Sequence, residues 1–312
     1  MKRLFIPVLI LGLIFSGSIA SMASTNKLLI ISASSENIWN WQWQPTKTGG
    51  RSAYGLLTST VQAESFIAQL PQPAQETMVA ALHQVDFKHN VAIVAYLGAR
   101  PSAGYQVEIG QITIGKNYMQ VWVGRRSPAT NDVAATVNTY PFTVYTLPRQ
   151  DVPADLFTLE VMDQTGQNLH YELVSLADAA FWDWHWQEGL LRPQVQLIKS
   201  DAQARRFIAS LPIKQRSAIS KALSNVNYRK EVALMAYLGG GAALPYHKIT
   251  LGDVRINEEG IQVWLGLQSP KTPTTLPAVN NPFAMMLIPR RNIPRQVLPL
   301  TVYDQTGRIW VP

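Results

Sequence analysis

Six short islands of this 312-residue sequence recur in the same order at a nearly constant offset. Trp39-Asn40-Trp41-Gln42-Trp43-Gln44 returns as Trp182-Asp183-Trp184-His185-Trp186-Gln187, at an offset of 143. Phe66 to Pro71 returns as Phe207 to Pro212, Ala95-Tyr96-Leu97-Gly98 as Ala236-Tyr237-Leu238-Gly239, and Gln120-Val121-Trp122 as Gln262-Val263-Trp264. Pro141-Phe142 and Asp163-Gln164-Thr165-Gly166 return as Pro282-Phe283 and Asp304-Gln305-Thr306-Gly307, both at 141. The small drifts fall between islands, where loops absorb them. A period of this length is too long for a solenoid and suits a whole domain. The expectation is a duplication, with copy one at 24–174 and copy two at 175–312.

Each copy reads alike. Ser59 with Gln62, and Ser200 with Gln203, have capping-box spacing. A short helix then runs to Leu70 and to Leu211, where Pro71 and Pro212 stop it. Met78, Leu82 and Val85 share one face of a second helix, as do Ile219, Leu223 and Val226. The remainder reads as strands: Val91 to Leu97, Tyr105 to Ile114 with a change of parity at Gly110 that predicts a bulge, Met119 to Val123, Phe142 to Leu147 and Phe157 to Val161. Helices early and hairpins late make an α+β fold: two tandem homologous domains, each a mainly antiparallel sheet with one or two helices.

Positions 1–23 read as an address. Lys2 and Arg3 precede an apolar stretch from Leu4 to Phe15, and small residues precede candidate cleavage points after Ala20 and Ala23. The stretch is short for the ~20 apolar residues of a membrane span, which favours cleavage over an anchor. The expected location is periplasmic or secreted, with no transmembrane segment after cleavage. The chain has no cysteine, which excludes disulfides, thiolate metal sites and a thiol nucleophile. Apolar residues at 47% exclude a wholly disordered chain.

The run Gly98-Ala99-Arg100-Pro101-Ser102-Ala103-Gly104-Tyr105 followed by alternating Val107 and Ile109 resembles the signature of the PrcB C-terminal domain family. Tyr140-Pro141-Phe142-Thr143-Val144 with Leu147-Pro148-Arg149 is similar to its closing strand. The resemblance covers about 91–150 and, more faintly, 232–291. Copy two departs from it, with Gly241, Ala242 and Pro245 where copy one has Arg100, Pro101 and Gly104. The family's best-known setting is an accessory subunit of a cell-surface protease complex without catalytic residues of its own. The resemblance therefore implies an exported, non-catalytic interaction module. If the loop carries function in copy one, copy two has lost it.

The residues themselves supply no catalytic constellation. His83, His89, His170, His185 and His247 lack metal spacing, so neither metal nor cofactor is expected. Asp163-Gln164-Thr165-Gly166 differs from an aspartic-protease Asp-Thr-Gly by an inserted glutamine and reads as a turn. Three candidate surfaces remain. The first is the loop of Gly98, Arg100, Pro101, Gly104 and Tyr105, where Arg100 either meets a partner or bonds its own domain. The second comprises Trp39, Trp41, Trp43 and Trp182, Trp184, Trp186, which alternate and on a strand would share a face. They are either an aromatic platform or core. The third is a basic patch at Arg205, Arg206, Lys214 and Lys221. Residues 27–174 carry net −2 and residues 175–312 carry +7, so this patch suits an acidic protein, an anionic envelope polymer or lipid head groups, or is merely solvated. Nucleic acid is not expected. The leading function is an accessory or assembly subunit that binds another envelope protein; the alternative is cell-wall or glycan binding through the tryptophans.

Overall fold

The structure, a computed structural model, describes residues 28–46, 49–129, 135–187, 192–239, 247–270, 282–293 and 299–310, with the backbone alone at 214 and 215. The expected signal segment and the second copy's loop at 240–246 lie outside the described residues.

The first half runs β1 (Leu29–Ser32), β2 (Ala53–Leu57), α1 (Thr60–Ala68), α2 (Gln72–Leu82), β3 (Asn90–Tyr96), β4 (Gln106–Ile114), β5 (Tyr118–Arg126), β6 (Phe142–Pro148), β7 (Phe157–Asp163) and β8 (Asn168–Ser175). The second runs β9 (Arg192–Ile198), α3 (Asp201–Ser210), α4 (Ile213–Ser224), β10 (Glu231–Gly239), β11 (Lys248–Ile256), β12 (Ile261–Gln268), β13 (Phe283–Pro289), β14 (Leu300–Asp304) and β15 (Ile309–Trp310). The architecture is α+β.

Local chemistry accounts for the helix starts. Ser59 Oγ accepts from the Gln62 amide at 3.1 Å, and Ser200 Oγ from that of Gln203 at 3.3 Å. The glutamine side chains reach back one residue further than a capping box requires. Gln62 Oε1 accepts from the Thr58 amide at 3.0 Å and Gln203 Oε1 from that of Lys199 at 2.6 Å. Pro71 and Pro212 end one helix and directly precede the next, their fixed φ suiting an N-terminus.

Each half has three layers. The helices cover one face of a three-stranded sheet, β2-β3-β6 or β9-β10-β13, and a long sheet covers the other. The middle strands β3 and β10 are therefore buried on both faces, as their continuous apolar runs require. Leu56, Ile93 and Leu97 pack against the long sheet, whereas Leu57, Val94 and Tyr96 pack under the helices with Met78 and Leu82.

The long sheet is one nine-stranded sheet in the order β1-β4-β5-β7-β8-β11-β12-β14-β15. Within it β5 pairs with β7, and β12 with β14, in parallel, and the other pairings are antiparallel, so the sheet is mainly antiparallel as expected. The chain leaves the long sheet to add β6 or β13 to the small one and re-enters it from the other end, so a crossover replaces a hairpin. The register of β4 on β5 shifts between Ile109 and Gln111, at the expected bulge. A Cβ at Gly110 would collide with Ile38, which is 1% exposed.

The halves share a strand. β8 pairs with β7 through Phe157↔Val174, and its last residues pair with β11 through Leu173↔Ile256. These residues stand to β11 as β1 stands to β4. Val174 enters the first core and Leu173 the second. The residue 174/175 boundary thus falls inside a strand.

Candidate functional site

The two tryptophan segments are straps rather than strands. Residues 38–40 form a single 3-10 turn, as do 179–183. Beyond each turn the strap is pinned by side chains. Gln164 Nε2 donates to the carbonyls of Trp41 (3.1 Å) and Arg125 (2.7 Å), and Ser127 bonds the strap at Gln42 and Gln44. Gln305 does the same for Trp184 and Leu267, each at 2.8 Å, and Ser269 for His185 and Gln187. The glutamine that separates Asp163-Gln164-Thr165-Gly166 from a protease motif is thus the residue that holds the strap. Asp163 Oδ1 takes the Thr165 amide, the Thr165 hydroxyl and the Gln167 amide at 2.7–2.9 Å, and Gly166 has φ +85°, so the motif is a turn.

A strap that begins in a helical turn splits its rings. Trp39 is 49% exposed and lies edge-on to Trp122 at 5.3 Å, whereas Trp41 is buried. Trp43 is half-buried against Arg100 and Arg125, whose guanidiniums lie 5.2 and 4.9 Å from its ring centre, with Tyr105 edge-on at 6.0 Å. Trp182, Trp184 and Trp186 are each half-buried. The rings of a triad do not share one open face.

The loop after β3 is ordered from within. Gly98 has φ +84°, and a Cβ there would strike the backbone of Gly50. A Cβ at Gly104 would lie 2.6 Å from Pro128. The sequence leaves Arg100 to a partner or to its own domain, and the fold takes it inward: it is 6% exposed. Its guanidinium donates to the Leu97 carbonyl, to Ser52 Oγ (3.2 Å) and to Thr46 Oγ1 (3.2 Å), and its backbone bridges Thr139. Burial pushes its pKa below the ordinary arginine value. Pro101 and Tyr105 are half-buried, which leaves Ala103 as the exposed point of the loop. Beside it Arg125 pairs with Asp163 in a site closed to water. Burial alone would raise the Asp163 pKa, but bonds from Thr165, Gln167 and Arg125 outweigh it and hold the carboxyl below its usual range.

On the second half, Arg205, Arg206 and Lys221 are exposed, whereas the Lys214 side chain lies outside the described residues. Arg216 is taken up by its own fold, donating to the carbonyls of Leu211 and Ala209 at 2.8 Å. Ile219 and Leu223 are buried on the side of α4 away from Lys221.

Sequence reasoning missed the junction between the halves. Its centre is Gln62, whose Nε2 donates to Asp253 (3.0 Å) and whose Oε1 accepts from Arg255 (2.8 Å). Thr58 also donates to Asp253, and Arg255 also donates to the Leu56 carbonyl and to Glu172 at 3.3 Å. Asp253 is fully buried and burial pushes its pKa up; Glu172 is held down because Arg255 and His170 overcome its desolvation. Arg149 stands at the edge and donates to the carbonyls of Thr58 and Phe87. Trp182 and Asp183 from the second half close over Thr58–Val61, with Lys88 3.8 Å from Asp183. The recurrence of Pro148-Arg149 as Pro289-Arg290, at the offset of the other islands, was the available signal for one side of this junction.

Among the described residues no helix is long and apolar enough to cross a membrane, and no group of three or more metal-ligating side chains converges. No curated protein and no solved structure matches the chain. Residues 91–148, from β3 and its closed arginine loop through the bulged hairpin to β6, match the model of the family described as PrcB C-terminal.

Proposed function

We propose that this protein is an exported, non-catalytic accessory subunit that binds another protein of the cell envelope. The carrying observation is the family match over 91–148, on a segment whose charged side chains serve order rather than reactivity. Arg100, Arg125 and Asp163 are bonded to their own fold, which suits a rigid module that presents a surface. Cleavage after Ala20 or Ala23, a periplasmic or secreted location, and two tandem copies of one fold at 24–174 and 175–312 belong to the same reading. Side chains at matched positions recur in the same bonds, Ser59 with Ser200, Gln164 with Gln305 and Arg149 with Arg290, and they support the duplication.

The test is capture. A tagged, exported chain is cross-linked in native envelopes and its partners are identified by mass spectrometry. One partner recovered in near-stoichiometric yield is expected; a chain recovered alone overturns the reading. Intact mass checks the leader, since a mature protein retaining Met1 to Ala20 would be membrane-anchored.

One observation favours the glycan alternative, the exposed Trp39 lying against Trp122. The exposed face of the Trp39 ring, propped edge-on by Trp122, can receive a sugar face. Co-sedimentation with purified cell wall that Trp39→Ala abolishes would support it.

A further inference from the structure

The junction between the halves is built on an arginine frame of the first half, and the second half carries the same frame exposed, beside a groove that shares Lys199 and Arg229 with it. Four bonds of the frame correspond. Arg149 donates to the carbonyls of Thr58 and Phe87; Arg290, its counterpart in the second half, donates to those of Lys199 and Tyr228, both at 3.0 Å. The amide of Arg149 donates to the His89 carbonyl and that of Arg290 to the Lys230 carbonyl. Gln62 and Gln203 make the same helix-start bond.

In the first half this frame receives carboxylates and an aromatic ring at its Thr58 and Lys88 side, and the guanidinium of Arg255 at its Gln62 and Leu56 side. Asp253 accepts from Thr58 and Gln62, Asp183 pairs with Lys88, and Trp182 lies alongside. Asp178 and Asp253 also act on Arg149 through space. In the second half, Lys199 replaces Thr58, Lys230 replaces His89 and Arg291 replaces Gln150, against one added acid where Glu231 replaces Asn90, so the frame has gained positive charge. Lys199, Arg229, Lys230, Arg290 and Arg291 line a groove of about 750 Å³ in which Glu231 is the single acid among the described residues. Four of these five cations are exposed, and Lys199 is half-buried.

We infer that this groove is a second docking socket, and that it takes a segment of another protein presenting paired carboxylates beside an aromatic ring. The occupant follows from the chemistry that fills the first socket and from the charge of the second. The inference rests on the accessory-subunit reading and names the surface that performs it.

The probe is a fluorescent peptide of this chain's own plug, residues 176–187, which carries Asp178, Trp182 and Asp183. Anisotropy should report saturable binding to the mature protein that weakens in high salt. Arg229→Ser with Arg291→Ser should weaken it roughly tenfold or more, as should Asp178→Asn with Asp183→Asn in the peptide. Arg205→Ser with Arg206→Ser, an equal loss of charge on exposed α3, should leave binding unchanged. Both protein variants alter exposed side chains, and melting curves verify their folds. Absence of saturable binding, or equal loss in both protein variants, overturns the inference. So does preferential binding of phosphatidylglycerol vesicles that the peptide fails to displace, which would make the groove a lipid site. Concentration-dependent self-association abolished by the socket variant would instead assign it to a second copy of the chain. If wild type and socket variant capture the same envelope protein equally, the socket fails while the accessory reading stands; if wild type captures none, the reading itself fails.

Discussion

Arg100 and Arg125 both lie against the indole of Trp43, and each is satisfied differently. Among the described residues Arg100 is paired with no acid and relies on carbonyl and hydroxyl acceptors, whereas Arg125 has Asp163. Arg100→Ala leaves the Leu97 carbonyl and Ser52 without that donor and opens space beneath Trp43. It is expected to cost about 1–3 kcal/mol, read as a lower melting temperature. A variant that melts like wild type while losing partner capture would return the arginine to the binding surface. Asp163 carries a pH signature. A carboxyl held below its usual range adds stability that is present above the unfolded-state value and lost as pH falls through the lowered one. Asp163→Asn is therefore expected to flatten the acid limb of a stability–pH curve measured by urea unfolding. An unchanged acid limb would mean the pair contributes nothing there. Gly98 needs its positive φ, so Gly98→Ala adds strain and a clash with Gly50 in one step.

At the scale of the element, the helix starts are the places where a single atom decides an outcome. Ser59→Ala and Ser200→Ala each remove one accepted amide bond, and each is expected to cost about 1 kcal/mol by chemical denaturation. Ser59 sits inside the filled junction and is 3% exposed, whereas Ser200 is half-buried and faces no second half. The Ser59 variant is accordingly expected to lose more, because water cannot replace the missing acceptor. Equal losses would show that the junction does not exclude water from α1. The bulges at Gly110 and Gly252 are elements of the same kind. Each removes a Cβ so that Ile38 or Phe181 can seat the strap against the long sheet.

The molecule as a whole is tied by β8 and by the polar junction. A strand that contributes Val174 to one core and Leu173 to the other couples their unfolding. Calorimetry is expected to show one transition, and two well-separated transitions would mean that the cores melt independently. Two substitutions at Asp253 separate charge from acceptor capacity. Asp253→Ala strands the donors of Thr58, Gln62 and the Ala177 amide, and is expected to cost about 1–3 kcal/mol. Asp253→Asn keeps an acceptor and removes a buried charge, so it is expected to cost less. The reverse order would show that the charge on Asp253, rather than its acceptor capacity, holds the halves.

Much of this architecture is local and was therefore legible in the residues. The capping serines, the prolines between helices, the parity change at Gly110 and the period-2 runs each act over a few neighbours, and they place α1 to α4 and most strands. The recurrence of islands at a nearly constant offset required only comparison of the chain with itself. What lay beyond reach depends on pairings between distant residues. No run of residues around 119–123 and 157–161 encodes that β5 and β7 lie parallel, because strand direction is set by the crossover between them. Alternating tryptophans look equivalent until a one-turn helix exposes Trp39 and two distant arginines lie against Trp43. Arg100 looks free until Ser52 and Thr46, from a distant earlier stretch of the chain, arrive to accept its bonds. The junction is the extreme case: Gln62 and Asp253 are far apart in the chain, and only the tertiary fold, by running one strand through both cores, brings them together.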